Sequence, residues 1–272
     1  ALGGTQIMTG LMQGRRGLIM GVANNHSIAY GIAETLARHG AGLAFTYQGE
    51  ALGKRVRPLA EGLGSNLVIP CDVEDIASVD ALFETLKAEW GGLDFVVHAI
   101  GFSDKNELKG RYADTTRDNF SRTMVISCFS FTEIARRAAE LMRPGGAMIT
   151  LTYGGSTRVM PNYNVMGVAK AALEASVRYL AADFGPAGIR VNALSPGPVR
   201  TLAGAGIADA RAMFSFQQKH SPLRKSVSLE DIGGAALYFL SDLSGGVTGE
   251  IHHIDAGYNI ISMPRSEDLA TP

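Results

Sequence analysis

The chain has 272 residues, of which 46% are hydrophobic and 33 are glycine, and its formal net charge is −1. A chain of this length without a long apolar block suits one domain with a large core, and its balanced charge excludes the basic surface of a nucleic-acid-binding protein. We therefore expect one soluble domain that binds neither nucleic acid nor a membrane.

Residues 1–12 lack the charged region and apolar core of a secretory signal. We interpret them as an N-terminal tail or an expression remnant. No repeat or low-complexity linker divides the rest, so residues 13–272 are predicted to form a single domain.

A strand, a glycine turn and a helix open this domain. The apolar run before Gly21 predicts the strand, and a helical pattern continues through Leu36 and stops at Gly40. Ser27 is the expected N-cap, and the free amides of the first helical turn would then form a site for a pyrophosphate. The usual G-x-G-x-x-G pattern is absent, so this loop alone is a weak indication of a nucleotide site.

The second predicted strand, Gly42–Tyr47, ends at Gln48, where a Rossmann unit presents the side chain that contacts ribose. Gln48 can hydrogen-bond ribose hydroxyls, and Glu50 would repel a 2′-phosphate. These two residues favour NADH, whereas the nearby Lys54 and Arg55 favour NADPH.

Further strands alternate with helices along the chain. Between them, apolar residues at three- and four-residue intervals predict helices over 78–90, 118–142 and 228–243. This alternation predicts a Rossmann-type, doubly wound parallel sheet of about seven strands, with helices on both faces and a ligand outside the carboxyl ends of the strands. The remaining predicted strands are Asn66–Cys71, Leu93–Ala99, Ala147–Thr152, Ile189–Leu194 and Glu250–Ile254.

Tyr163 and Lys170 are seven residues apart in a stretch that is predicted to be one long helix from Pro161 to Ala182. Seven steps of 100° bring two side chains to within roughly 20° of each other and about 10 Å apart along the axis. The phenol and the ammonium can then face one cleft, where the ammonium would favour ionisation of the phenol or strengthen its bond to an oxyanion. The alternative is a half-buried tyrosine and a solvated lysine on an ordinary helix.

The segment 201–216 is rich in glycine and carries an amphipathic pattern. It is either a simple connecting helix or a mobile, apolar lid over a substrate. For a lid, the candidate lining residues are Ala203, Ile207, Met213 and Phe214.

An ordered set of motifs resembles the bacterial NADH-dependent enoyl-acyl-carrier-protein reductases, of the short-chain dehydrogenase/reductase superfamily. The similarity runs from about Gly14 to Met263. Ordinary members of the superfamily place the lysine four residues after the tyrosine, whereas here that position is Gly167. The motifs are the segments 21–31, 98–102, 161–167 with Lys170, and 197–201, together with Tyr153.

The resemblance implies that NADH reduces a trans-2-enoyl thioester by giving hydride to C3. Tyr163 would donate a hydrogen bond to the enolate oxygen, and Lys170 would hold the nicotinamide ribose. Tyr153 is similar to the second active-site tyrosine of the family and would line the substrate pocket together with Met166.

The same resemblance assigns the cofactor contacts and the partners. The substrate would be carried by an acyl carrier protein, and the enzyme would be a cytoplasmic homotetramer. The pyrophosphate turn would be formed by Gly21, Ala23, Ser27 and Ile28, and the adenosine would contact Gln48, Asp72 and Val73. The nicotinamide ribose would lie on Gly101 and bind Lys170. The wall around the nicotinamide would be formed by Gly197, Pro198, Val199 and Thr201.

Two other function classes remain open. A 3-ketoacyl or alcohol reductase of the same superfamily is disfavoured by Gly167, and a non-enzymatic nucleotide sensor is disfavoured by the joint presence of Tyr153, Tyr163 and Lys170. A metal site is not expected, because the histidines have no ligand spacing and the two cysteines lie in apolar surroundings. Those cysteines indicate a reducing compartment.

Overall fold

A computed structural model of the chain describes residues 10–199, 210–265 and 267. Within these ranges seven parallel strands form one sheet in the order β3-β2-β1-β4-β5-β6-β7. The predicted doubly wound fold is confirmed. The strands are β1 (Arg16–Met20), β2 (Gly42–Tyr47), β3 (Leu67–Pro70), β4 (Leu93–His98), β5 (Met142–Leu151), β6 (Arg190–Pro196) and β7 (Ile251–Ile254).

Helices cover both faces of the sheet because the strands are apolar on both sides. In β1, Leu18 and Met20 belong to one buried core and Ile19 to the other. Leu82 and Leu173 complete the first core from helices on one face. The helices are α1 (Ile28–Arg38), α2 (Gly49–Gly62), α3 (Ile76–Trp90), α4 (Arg117–Met124), α5 (Ser130–Leu141), α6 (Asn164–Phe184), α7 (Ala210–His220) and α8 (Leu229–Leu240).

Gly31 brings α1 close to another helix. A Cβ at this position would lie 2.7 Å from Leu229 Cβ at the start of α8, which is closer than real Cβ contacts allow. This close contact joins two helices that lie on the same face of the sheet.

The predicted helix over 118–142 is interrupted. Between α4 and α5, the segment Val125–Phe129 forms a π-helical turn. Such insertions are frequent at functional sites. Here the turn buries Ser127 completely and directs its hydroxyl at the backbone of Phe102, with Phe102 N–H donating at 2.9 Å.

The helix expected from Pro161 begins later, at Asn164, and extends to Phe184. Tyr163 is its N-cap residue, with φ −124° and ψ −18°, and Asn162 before it has a left-handed φ of 56°. The prediction that Tyr163 and Lys170 lie within one helix is therefore wrong, because the backbone turns sharply just before Asn164. No helix in the described ranges is both long and apolar enough to cross a membrane.

Candidate active site

Lys170 lies on α6 beside the carboxyl end of β5. Its side chain is buried, and Nζ donates a 2.7 Å hydrogen bond to the carbonyl of Leu151. A Cβ added at Gly101 would lie 3.8 Å from both Lys170 Nζ and Ser127 Oγ, so these three residues border one space. Burial lowers the pKa of Lys170 to about 8, while Cys128 and Glu174 oppose this effect.

Tyr163 and Tyr153 form an aromatic pair at the same edge of the sheet. Their ring centroids are 5.1 Å apart and the planes are inclined by 73°. Burial raises the pKa of Tyr163, and the neighbouring Tyr153 adds to this. Of the two effects expected of the ammonium, ionisation of the phenol is opposed by this rise in pKa, which leaves a neutral phenol as the hydrogen-bond donor.

Gly167 explains why the lysine cannot occupy the four-residue position. A Cβ at Gly167 would lie 2.7 Å from the carbonyl oxygen of Gly155 and 3.6 Å from Tyr163 Cδ1. Any side chain here would require the backbone around Gly155 to move. The geometry thus admits Lys170, one turn further along α6, and excludes a lysine at 167.

A cleft of about 110 Å³ opens where β5, β6 and β7 end. Tyr153 lines this cleft and receives a hydrogen bond from Gln217 Nε2 of α7 at 3.3 Å. Burial raises the pKa of Tyr153, and the bond from Gln217 partly offsets this. The cleft is lined by Tyr153, Gly154, Thr157, Arg158, Met160, Ser195, Pro196, Gly197, Gln217, His253, Asp255, Tyr258 and Asn259.

Among those residues proposed to bind substrate that the structure describes, only Tyr153 lines this cleft. Met166 is buried in α6, and the methionine that reaches the cleft is Met160. Met213 and Phe214 lie half-buried on α7. Ala203 and Ile207, like the cofactor residue Thr201, fall outside the described residues.

The loop predicted to hold a pyrophosphate follows Gly21 and is held together by Ser27. Ser27 Oγ accepts hydrogen bonds from the backbone amides of Ala23 at 3.0 Å and Asn24 at 3.1 Å. Ser27 is the N-cap residue of α1 by position, but its side chain does not cap the helix. The start of α1, at Ile28, is left without a side-chain partner, which favours an anionic ligand there.

Gln48 and Asp72 meet at the ends of β2 and β3. Gln48 Nε2 donates to Asp72 Oδ2 at 3.0 Å, and Val73 is buried next to them. Glu50 is not a free negative charge, since Arg57 lies 3.3 Å from it and lowers the pKa of its carboxyl. The expectation that Glu50 repels a 2′-phosphate is therefore weakened, because Arg57 balances its charge.

Gly197 begins the segment after β6, and its N–H donates to Ile254 O at 2.8 Å. Pro198 and Val199 follow it, both half-buried. The bond joins this segment to the end of β7. All three residues therefore lie at the carboxyl edge of the sheet, where the family resemblance implies the nicotinamide wall.

Several polar residues of the site escape prediction from the sequence. His98 is fully buried at the end of β4, with Thr150 Oγ1 3.0 Å from Nδ1 and Ser130 Oγ 2.9 Å from Nε2. Burial, with a smaller contribution from the nearby Lys170, lowers the pKa of His98 to about 3. For His98, the sequence offers one indication, which is that a histidine is the last residue of a buried strand. The sequence offers no such indication for Ser127, Glu174 or Gln217.

The two cysteines, Cys71 and Cys128, are buried and form no disulfide with each other. Burial raises the pKa of Cys71 to about 11 and also raises that of Cys128. Neither is a reactive thiolate at neutral pH. The described residues contain no cluster of side chains suited to a metal ion.

Comparison with known proteins gives one consistent result. A family model described as enoyl-(acyl carrier protein) reductase matches residues 21–259. Enoyl-acyl-carrier-protein reductase (NADH) 2 of Rhizobium meliloti (strain 1021) is 77% identical over 262 residues, which are 96% of this chain and 98% of that protein. The corresponding NADH-dependent reductase of Salmonella typhimurium is 48% identical, over 95% of this chain and 99% of its own.

Solved structures agree with the sequence matches. The crystal structure of FabI from Candidatus Liberibacter asiaticus has a TM-score of 0.93 and 63% identity, covering 95% of this chain and 100% of that one. The reductase from Anaplasma phagocytophilum, solved in complex with NAD, has a TM-score of 0.91 and 57% identity, covering 94% and 97%.

Proposed function

We infer the reaction from one premise: this chain belongs to the enoyl-(acyl carrier protein) reductase family. It is an NADH-dependent oxidoreductase that reduces the trans-2 double bond of an enoyl thioester carried by acyl carrier protein. The observation that carries this conclusion is the 77% identity to an NADH enoyl reductase over 96% of the chain. The resemblance read from the sequence motifs is confirmed.

The described residues fit a dinucleotide. At the start of α1, the Ser27 hydroxyl is used within the loop, and the helix has no side-chain cap to compete with a phosphate. At the adenosine end, Gln48 and Asp72 present polar atoms beside the buried Val73. Gly21, Ala23 and Ile28 would hold the pyrophosphate, and Gly101, Gly197, Pro198, Val199 and Thr201 would surround the ribose and nicotinamide.

When bound, NADH supplies the hydride that adds to C3 of the enoyl thioester. The electron pair of the double bond then moves to the thioester oxygen as an enolate. Tyr163 would stabilise that enolate by donating a hydrogen bond, which a neutral, half-buried phenol is suited to do. Protonation at C2 completes the reduction.

Lys170 would hold the ribose hydroxyls of the nicotinamide nucleotide. One of its N–H groups is fixed on Leu151 O, which leaves two donors on the same nitrogen for the cofactor. Tyr153 lines the cleft next to Tyr163 and would pack against the acyl thioester. Met166, Ala203, Ile207, Met213 and Phe214 are proposed as further substrate contacts, with 201–216 as the lid.

Isotope transfer tests this course of the reaction. With NADH deuterated at the transferable position, the label should appear at C3 of the saturated product, and a solvent proton should appear at C2. Label at C2, or label lost to solvent, would contradict hydride addition to C3.

We also propose that the enzyme is a cytoplasmic homotetramer. Large apolar side chains near the C-terminus are exposed, with Leu243, Ile260 and Met263 each more than half accessible. Such side chains are commonly covered by a subunit contact. Light scattering of the purified protein distinguishes four subunits from one or two.

A further inference from the structure

Glu174 is a buried carboxylate to which the reaction as described gives no role. It lies on α6 one turn after Lys170 and is 7% exposed. Its Oε1 accepts a 2.7 Å hydrogen bond from Thr152 Oγ1. Because a buried carboxylate costs free energy unless a partner compensates it, its presence beside an active-site lysine requires an explanation.

The same turn of α6 holds the end of β5 with two side chains of opposite charge. Lys170 donates to the carbonyl of Leu151, and Glu174 accepts from the hydroxyl of Thr152. The next residue is Tyr153, whose ring packs on Tyr163. The two hydrogen bonds thus fix the strand end from which the active-site tyrosine pair is built.

Glu174 is also suited to stabilise the protonated form of Lys170. Three described titratable groups interact with Lys170: His98 from β4, Cys128 from the π-helical turn, and Glu174 from α6 itself. Burial lowers the pKa of His98 to about 3 and raises that of Cys128, so both are uncharged at neutral pH. Glu174 is the only carboxylate among these three groups.

We propose that Glu174 is a positioning residue that keeps Lys170 protonated at neutral pH and so preserves its ability to bind the ribose of NADH. This inference rests on the proposed role of Lys170 in cofactor binding. Burial by itself favours the neutral amine, and a carboxylate one helical turn away opposes that effect. Removing the carboxylate should therefore lower the pKa of Lys170 from its value of about 8.

The test follows NADH binding by fluorescence from about pH 6 to about pH 9. In the unaltered protein the Kd should rise as the pH passes about 8, where Lys170 loses its proton. In Glu174→Gln, which keeps a hydrogen-bond acceptor for Thr152, the rise should begin about one pH unit lower. Glu174→Met replaces the same charge by an apolar side chain, and it is titrated in place of Glu174→Gln if that variant does not fold.

Two controls separate this effect from general damage. Asp183→Asn removes an exposed carboxylate from the same helix and should leave the pH dependence unchanged. Lys170→Met should weaken NADH binding and abolish the rise near pH 8 altogether.

A rise that stays near pH 8 in the Glu174 variants, and is lost in Lys170→Met, would overturn the inference alone. A Lys170→Met protein that binds NADH like the unaltered one at every pH would overturn both the inference and the proposed role of Lys170.

Discussion

The ring of Tyr163 meets the ring of Tyr153 nearly edge to face, with 5.1 Å between the centroids. Tyr153 comes from the end of β5 and Tyr163 from the residue that caps α6, so the pair joins the sheet to the helix that carries Lys170. Of the two tyrosines, Tyr153 lines the cleft, and Tyr163 contacts it through the ring of Tyr153. This arrangement separates the roles proposed for Tyr163 and Lys170, and each can be tested by itself.

Tyr163→Phe should lower kcat by about 10²- to 10³-fold, the usual effect of losing one hydrogen-bond donor to an oxyanion. NADH affinity should be nearly unchanged, because the phenol is proposed to contact the substrate oxygen. The measurements are steady-state kinetics and a fluorescence titration with NADH. Tyr179→Phe, at an exposed tyrosine of α6, is the matched control and should behave like the unaltered enzyme.

Lys170→Met should raise the Kd for NADH by about 10- to 100-fold, since it removes hydrogen bonds from a charged donor. Methionine retains most of the buried volume, but the change leaves the Leu151 carbonyl and the Glu174 carboxylate without their cationic neighbour, so the melting temperature should also fall. NADH binding is therefore compared at a temperature at which both proteins are folded. Equal NADH affinity in Tyr163→Phe and Lys170→Met would show that the division of roles is wrong.

Cofactor preference should depend on the ion pair between Glu50 and Arg57. We expect NADH to have the higher kcat/KM in the unaltered enzyme. Glu50→Gln frees Arg57 from its 3.3 Å partner and should raise kcat/KM for NADPH while leaving that for NADH nearly constant. The control is Glu61→Gln, at an exposed position near the end of α2. If kcat/KM for NADPH is unchanged in Glu50→Gln, Arg57 lies outside the cofactor site.

His98 should make the folded state less stable in acid. Its folded pKa of about 3 is below the ordinary value of 6.5, so the unfolded chain binds a proton that the folded protein excludes. Stability is therefore lost as the pH falls from about 6.5 towards about 3. Between about pH 7 and about pH 5, the melting temperature of His98→Gln should fall by fewer degrees than that of the unaltered protein. The control is His26→Gln, at an exposed imidazole, whose melting temperature should fall as much as that of the unaltered protein. An equally large fall in His98→Gln would show that His98 is not the source of the acid sensitivity.

The sheet could be predicted from the sequence because its strands are short apolar runs that end in glycine or polar residues. Observed boundaries of six strands lie within two residues of the predicted ones, and β5 begins five residues early, at Met142. This part of the fold depends on local pattern, which a single sequence carries.

The start of α6 and the π-helical turn could not be predicted in the same way. In the sequence, the segment from Pro161 to Gly167 appears continuous with the helix. In the structure, Asn162 has a left-handed backbone conformation, and the helix begins only at Asn164. The π-helical turn at Val125–Phe129 leaves no mark on the apolar periodicity.

Buried polar partners were missed for a different reason. Glu174 and Thr152 are 22 residues apart in sequence, and His98 and Thr150 are 52 apart. Only the folded sheet brings them together. A lone glutamate on a helix reads as solvated, so the sequence indicated Tyr163 and Lys170 but not the residues that hold them.

The identity of the reduced bond tests the central claim most directly. Gly167 leaves no room for a lysine four residues after Tyr163, which separates this site from that of a ketone reductase. Purified enzyme with NADH should consume a trans-2-enoyl thioester, with loss of the conjugated absorbance and of NADH in equal amounts, and should leave a 3-ketoacyl thioester essentially untouched. Faster oxidation of NADH with the 3-ketoacyl thioester would contradict the account.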